Sequence, residues 1–218
     1  MTKAKGASGE ATSPAAIALR RSQFLLGAAR ARQFPADSGW EVAVAGRSNA
    51  GKSSAINVIT GIRGLARISK TPGRTREINF FQIDEERRLV DLPGYGYARV
   101  PVAVRQAWQR LIEDYFRGRQ CLRGVMVVMD CRHPLTEFDR QMLEWCGHAR
   151  LPVHLLLTKA DKLSRGAAMA VLHQVRGQLA KLYKENKENK EVTVQLFSAL
   201  KRSGVVEAHE TLARWLEL

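Results

Sequence analysis

Gly46-Arg47-Ser48-Asn49-Ala50-Gly51-Lys52-Ser53 is the stretch on which the reading of this chain turns. It fits the pattern G-x-x-x-x-G-K-[ST], in which small residues let successive backbone N–H groups turn inward around phosphate oxygens. In that pattern Lys52 reaches the outer phosphates and the Ser53 hydroxyl is a ligand for Mg²⁺. The residues before it, Glu41 to Ala45, read as a buried strand, and Ser53 to Ile59 read as a helix. A phosphate between them sits on a helix N-terminus, where unpaired donors and the dipole favour negative charge.

Two further signals follow in order. Asp91-Leu92-Pro93-Gly94 closes the apolar run Leu89-Val90, so the Asp91 carboxylate stands at the tip of a strand, close to the phosphate loop of a doubly wound sheet. There it can hold Mg²⁺ through a bound water while the Gly94 N–H faces a γ-phosphate. Thr158-Lys159-Ala160-Asp161 ends another apolar run. A carboxylate at Asp161 accepts two parallel hydrogen bonds from guanine N1–H and its 2-amino group, a donor pair that adenine lacks, and the Lys159 stem covers the base plane. Phe197-Ser198-Ala199, after the last expected strand, brings a backbone N–H to guanine O6. Between the first two motifs, Gly73, Arg74, Thr75, Arg76 and Glu77 are candidates to line the nucleotide. The Thr75 hydroxyl completes the metal shell with Ser53 and Asp91 when a triphosphate is bound, and its loop relaxes after hydrolysis. Thr71 competes for that role, although Pro72 after it favours a turn. Together these signals define a guanine-nucleotide switch.

The rest of the chain is consistent with one domain. Its 218 residues, 45% hydrophobic, suffice for a full α/β core. Expected strands span 78–84 and 87–92, a hairpin around Glu85-Glu86, then 124–130, 153–158 and 192–197; helices span 102–117, 136–149, 166–183 and 205–216. This alternation predicts a three-layer α/β fold: a mostly parallel six-stranded sheet with one antiparallel strand and helices on both faces. Residues 1–16, rich in small and polar types, read as a disordered tail, and 17–218 as a single domain opened by a helix over Ile17 to Ala31. Cys121, Cys131 and Cys146 lack any C-x-x-C pairing and read as reduced thiols. His133, His148, His154, His173 and His209 show no metal-ligand spacing. No apolar run reaches membrane-span length and no secretory h-region is present, so a soluble, cytoplasmic protein is expected.

The formal charge of +14 and pI near 10.3 point to an anionic partner larger than a nucleotide. Arg63, Arg67, Lys70, Arg74 and Arg76 gather around the first switch; Arg99, Arg105, Arg110, Arg117, Arg119 and Arg123 follow the second. Positive charge beside loops that sense phosphate is a way to couple nucleotide state to RNA affinity. Trp108, Tyr115 and Phe116 interleave the second cluster at helical spacing and read as core.

Ala45 to Ser54, Lys70 to Thr75 with Asn79-Phe80-Phe81, and Asp91 to Ala98 together resemble the EngB (YihA/YsxC) family of bacterial GTP-binding proteins, small GTPases of the TrmE-Era-EngA-EngB type. The resemblance runs from about Phe24 to Leu216, and Thr158 in place of the usual Asn agrees with it. It implies a P-loop GTPase fold of Ras-like type and a bacterial cytoplasmic GTPase that is needed for assembly of the large ribosomal subunit. A link to cell division and septation comes with it. GTP or GDP, Mg²⁺, ribosomal RNA and the large-subunit precursor are the implied ligands and partners, with the protein a monomer.

Tyr95 stands where Ras-like GTPases place the Gln that orients the attacking water, and a phenol cannot serve in the same geometry. Intrinsic turnover should then be slow, on the order of 10⁻⁴ to 10⁻³ s⁻¹. The catalytic set expected is Lys52, Thr75, Gly94 and Asn49. The missing positive charge comes from a ribosomal partner or from K⁺, which related GTPases hold with an Asn at the position of Asn49; alternatively Asn49 only tightens the loop. Two other functional classes remain: a P-loop phosphotransferase, which would not need Asp161, and a nucleotide-gated adaptor for division proteins with no RNA role.

Overall fold

The computed structural model describes residues 13–67, 77–96, 102–184 and 191–218, with backbone alone for 102–105 and 183–184. The β-branched and leucine-rich runs form β1 Gln23–Ala28, β2 Trp40–Gly46, β3 Ile78–Gln82, β4 Arg87–Asp91, β5 Leu122–Asp130, β6 Val153–Thr158 and β7 Val192–Leu196. Around them lie α1 Pro14–Leu19, α2 Lys52–Thr60, α3 Val102–Gly118, α4 Glu137–His148, α5 Arg165–Lys184 and α6 Val205–Leu216. The strand order is β1-β3-β4-β2-β5-β6-β7. β3 pairs antiparallel with both β1 and β4, and every other pairing is parallel, so β3 alone runs against the rest.

Period-2 alternation in the strands divides the core into two layers. Ala43 and Ala45 of β2 and Val125, Val127 and Met129 of β5 face α3, α4 and α5, where Ile112, Tyr115, Met142, Cys146 and Val175 meet them. Val42, Val44, Met126 and Val128 point the other way, onto Ile56 and Ile59 of α2, Leu212 of α6 and Leu19 of α1. Both faces of the parallel strands are therefore dry, as crossover helices require.

The sheet has seven strands rather than six because the expected helix over Ile17 to Ala31 is not formed. α1 begins at Pro14 behind the Ser13 cap and ends at Leu19, and Gln23–Ala28 turns into the edge strand β1. Its pairing with β3 and the edge-on contact of Phe24 with Phe81, 6.2 Å between centroids, override the helical spacing of the apolar residues. Pro14, Ala15 and Ala16 of the expected tail belong to α1, with Ala15 and Ala16 buried; residues 1–12 lie outside the described ones.

At the end of the sheet remote from the phosphate loop, Glu41 is fully buried and holds two guanidiniums. Arg88 Nε donates to its Oε1 at 2.7 Å, and Arg119 Nε donates to Oε2 at 3.1 Å with Arg119 Nη2 on Oε1. The Tyr115 hydroxyl donates to Oε2 at 3.1 Å. A buried carboxylate tolerates such a site only when its lone pairs are filled. Arg119 thus leaves the expected basic surface cluster; Arg110, Arg117 and Arg123 remain exposed. Cys121, Cys131 and Cys146 are buried and unpaired, and burial pushes the Cys146 thiol up to about 12.

Candidate functional site

Gly46 to Ser53 runs from the end of β2 into the first turn of α2, with β4 and β5 on either side of β2. The loop needs its glycines at two places for different reasons. Gly51 has φ +100°, a left-handed conformation that side-chain-bearing residues avoid. At Gly46 an added Cβ would stand 2.7 Å from the Val128 carbonyl oxygen. Lys52 is ion-paired with Asp91, the last residue of β4. Ser53 lies beside it in the first turn of α2, half-buried.

The loop and the second motif are stitched together by backbone. Ser48 N donates to the Tyr95 carbonyl at 2.9 Å, and Arg47 and Tyr95 form a parallel bridge. Leu92 N donates to Val44 O at 3.0 Å, holding Leu92-Pro93-Gly94 just beyond the strand ends. The Tyr95 side chain points away from this site. It is 3% exposed, and its hydroxyl donates to Asp139 Oδ1 at 2.9 Å in the first turn of α4. Burial first, then the neighbouring Asp139 charge, pushes the phenol well above its ordinary pKa. Asp139 Oδ2 accepts from Thr136 N and Thr136 Oγ1, closing the cap of α4.

Thr158-Lys159-Ala160-Asp161 leaves the end of β6 and also reaches the phosphate loop. The Thr158 hydroxyl lies 2.5 Å from Ala50 O and 3.0 Å from Met129 O. Lys159 takes φ +58°, and its Nζ donates to Asn49 O at 2.7 Å. Ala160 N bonds Phe197 O at 3.2 Å, and Ser198 Oγ donates to Asp161 Oδ1 at 2.5 Å, so the segment Phe197-Ser198-Ala199 is fixed against the motif. The Asn49 side chain makes no hydrogen bond among the described residues, and its φ is +62°.

Asp130 and Arg132 belong to this site and were missed from the sequence. Asp130 Oδ2 lies 2.9 Å from Lys159 Nζ, and both carboxylate oxygens accept from Arg132, at 2.9 and 2.7 Å. Burial alone would raise the Asp130 pKa, but the hydrogen bonds from Arg132 and Lys159 hold it far below the usual carboxylate range. The signal was present: like Asp91, Asp130 is an acid closing an apolar strand.

All four motifs therefore meet at the carboxyl ends of the parallel strands, where α/β sheets place ligands. Gly73, Arg74, Thr75 and Arg76 lie outside the described residues. Glu77 is exposed, directly ahead of β3, and the pairing of Asn79 with Asp91 brings this segment to the same end of the sheet. The Glu77 carboxylate lies against Gly27 of β1, where an added Cβ would stand 2.5 Å from its Oε2.

Such loops on such a sheet define a guanine-nucleotide-binding P-loop protein, and a family model described as 50S ribosome-binding GTPase matches residues 41–159. A probable GTP-binding protein EngB of Methylococcus capsulatus (strain Bath) is 57% identical over 187 residues, covering 86% of this chain and 87% of the relative. The chain belongs to the EngB family of GTP-binding proteins, and as a GTPase it binds guanine nucleotides and hydrolyses GTP. A crystal structure of a probable EngB superposes with a TM-score of 0.62 at 20% identity, over 81% of this chain and 98% of that one. The structure of Era with MgGDPNP and nucleotides 1506–1542 of 16S ribosomal RNA superposes with a TM-score of 0.58 at 19% identity, over 82% of this chain and 57% of Era. Likeness at that identity establishes the fold.

Proposed function

We propose that this protein is a slow, Mg²⁺-dependent GTPase switch that binds the large ribosomal subunit precursor in its GTP state, acts in its assembly, and is thereby needed for normal division and septation. The observation that carries this reading is the convergence of Gly46–Ser53, Asp91–Gly94, Thr158–Asp161 and Phe197–Ala199 in a chain with a formal charge of +14. Family membership under the description 50S ribosome-binding GTPase supports it.

On this reading Asp161 accepts the guanine N1–H and 2-amino donors, Ser198 holds its carboxylate, and Lys159 covers the base. Thr158 braces the phosphate loop through Ala50. Gly46 to Lys52, with the Gly94 N–H, surrounds the phosphates, and Gly73, Arg74, Thr75, Arg76 and Glu77 are the further residues proposed to bind the nucleotide. Among the described residues no group of three or more His, Cys, Asp or Glu gathers to hold a metal. Mg²⁺ keeps several waters and takes its other ligands from a few protein oxygens and from phosphates; Ser53, Thr75 and, through a bound water, Asp91 are the proposed donors. With triphosphate and Mg²⁺ bound, Lys52 would turn from Asp91 to phosphate oxygens and Asp91 would hold a water on the metal. The free side chain of Asn49 gives K⁺ an oxygen ligand beside the phosphates, and K⁺ or the ribosome supplies the missing positive charge. The protein works as a monomer in the cytoplasm; among the described residues no helix is long and apolar enough to cross a membrane.

Two measurements test this reading. Fluorescence titration should give far tighter binding of GTP and GDP than of ATP, with Asp161→Asn shifting preference to xanthine nucleotides; equal ATP and GTP affinities would remove the guanine assignment. Sedimentation with purified subunits should show binding to large-subunit precursors with a non-hydrolysable GTP analogue and release with GDP. Absence of binding to either subunit would favour an adaptor for division proteins without an RNA role.

A further inference from the structure

We propose that the groove between the C-terminal halves of α3 and α4 is a docking site for an unpaired stretch of RNA, and that Trp108 and Trp145 couple it to the second switch. The proposal rests on the reading above that RNA is the partner; it adds where the RNA lies and how nucleotide state reaches it. The groove has a volume of about 860 Å³ and opens at the end of the sheet remote from the phosphate loop, where α3, the start of β5, the end of α4 and the turn before β6 meet. Among the described residues Arg117 and Arg123 line it, with Glu113 as the lining carboxylate. Arg119 also lines it but is committed to Glu41. Among the described residues neither Arg117 nor Arg123 has a carboxylate partner; the Arg123 guanidinium stands 6.0 Å from the ring of Trp40, a residue outside the groove lining.

The chemistry selects among anions. The half-buried Trp145 puts an aromatic wall beside these cations, with Phe116 buried behind it in the core. Guanidiniums with an aromatic wall suit a nucleotide strand, whose phosphates meet the cations while a base stacks. An acidic peptide would use the charges and leave the wall idle. A-form duplex keeps its bases stacked inside and cannot offer one to a groove.

The coupling is a chain of contacts. Trp108 of α3 donates from Nε1 to the Pro93 carbonyl at 3.3 Å and lies 6.2 Å from the Tyr95 ring. The same indole stands 5.8 Å from Trp145 of α4, which lines the groove. Tyr95 is itself bonded to Asp139 of α4. The Pro93 to Tyr95 segment therefore touches both helices that wall the groove. A γ-phosphate that draws in Gly94 shifts α3 against α4, and RNA that prefers one spacing raises the affinity for the matching nucleotide.

The test uses the full chain, a fluorescein-labelled 12-nucleotide RNA of mixed sequence, the corresponding duplex, polyglutamate of equal charge, and purified large-subunit precursors. The double variant Arg117→Glu with Arg123→Glu should weaken binding of the single strand about tenfold near 0.1 M salt. It should also flatten the slope of log K against log salt by about 1.4, roughly 0.7 for each phosphate contact. GTP affinity and hydrolysis without RNA should be unchanged. Trp145→Leu should weaken the single strand about tenfold, the loss of one stacked base, with duplex and polyglutamate binding more weakly than the single strand to the unmutated chain. The GTP analogue should tighten RNA binding relative to GDP, and Trp108→Phe should erase that difference while leaving binding in GDP intact. If the unmutated chain binds RNA and precursors while the double variant keeps the same affinity and slope, the groove is overturned and the assembly role stands. If the unmutated chain binds neither, the RNA reading itself falls. Polyglutamate binding as tight as RNA would assign the groove to an acidic protein segment, and equal RNA affinity in both nucleotide states would overturn the coupling.

Discussion

Replacing Tyr95 by Phe separates a structural phenol from a catalytic one. The ring, 3% exposed, packs 6.2 Å from Trp108, and its hydroxyl spends its proton on Asp139 Oδ1 at 2.9 Å. Phe keeps the ring and removes one hydrogen bond to a carboxylate, worth about 1.5–3 kcal/mol. Asp139 keeps its bonds from Thr136, so the α4 cap survives and the loss stays near that range. For a chain of this size each kcal/mol moves Tm by about 2–4 °C, so a fall of roughly 3–12 °C is expected. Thermal unfolding should be followed at fixed, saturating GDP, because bound nucleotide itself shifts Tm. Single-turnover GTP hydrolysis by the same variant should stay within about threefold of the unmutated rate, since the hydroxyl points away from the phosphate loop. A rate loss of a hundredfold, about 2.7 kcal/mol of barrier, with Tm unchanged would refute this reasoning and return the phenol to the reaction.

Asp130→Ala removes the carboxylate that holds Lys159 Nζ at 2.9 Å; losing such a charged bond should weaken GTP and GDP alike by about tenfold or more with kcat preserved. Unchanged affinity in a fluorescent-nucleotide titration would mean that Asn49 O alone positions Lys159. His154 is held neutral between Thr193 and Gln195, with burial as the main cause of a pKa below its ordinary 6.5. The unfolded chain takes that proton first, so the stability His154 confers is present above pH 6.5 and is lost as pH falls below it. Urea unfolding at descending pH should show the loss, and His154→Gln should flatten it; the same slope in the variant would assign the dependence to other groups. If K⁺ binds at Asn49, exchanging K⁺ for Na⁺ should slow hydrolysis and Asn49→Ala should erase the difference, whereas equal rates in both salts would leave Asn49 a loop residue.

What could be read from the sequence was local. The phosphate loop, Asp91 after Leu89-Val90 and Asp161 after Thr158 each declare themselves within eight residues or fewer, because phosphate and base recognition are built on single turns at strand ends. Helices α3 to α6 were equally legible from apolar spacing. β1 was not: Ile17 to Ala31 reads as one helix, and only pairing with Phe80 and Phe81, far along the chain, makes Gln23–Ala28 a strand. Arg88 and Arg119 look like any surface arginines until the fold brings both to Glu41. Tyr95 could be recognised as unfit to orient water, but its partner Asp139 lies on a helix that the sequence does not connect to it.

The site also repeats one arrangement on both sides of β2, and the difference between the copies bears on switching. β4 and β5 flank β2 and each ends in an aspartate that receives a lysine from a neighbouring motif, Lys52 at Asp91 and Lys159 at Asp130. Asp130 is further held by Arg132, through both of its carboxylate oxygens, and Lys159 is further held by Asn49 O. Among the described residues Lys52 and Asp91 have only each other as side-chain partners. A triphosphate with Mg²⁺ can therefore open the first pair by satisfying both partners at once, at little cost. The second pair is anchored from both sides, Asp130 by Arg132 and Lys159 by Asn49 O, so its partners stay where they are. On the proposed reading, the β4 side of the site is the part that changes with nucleotide state and the β5 side is the rigid seat of the base, which places the moving segment, Asp91 to Tyr95, directly against Trp108 on α3.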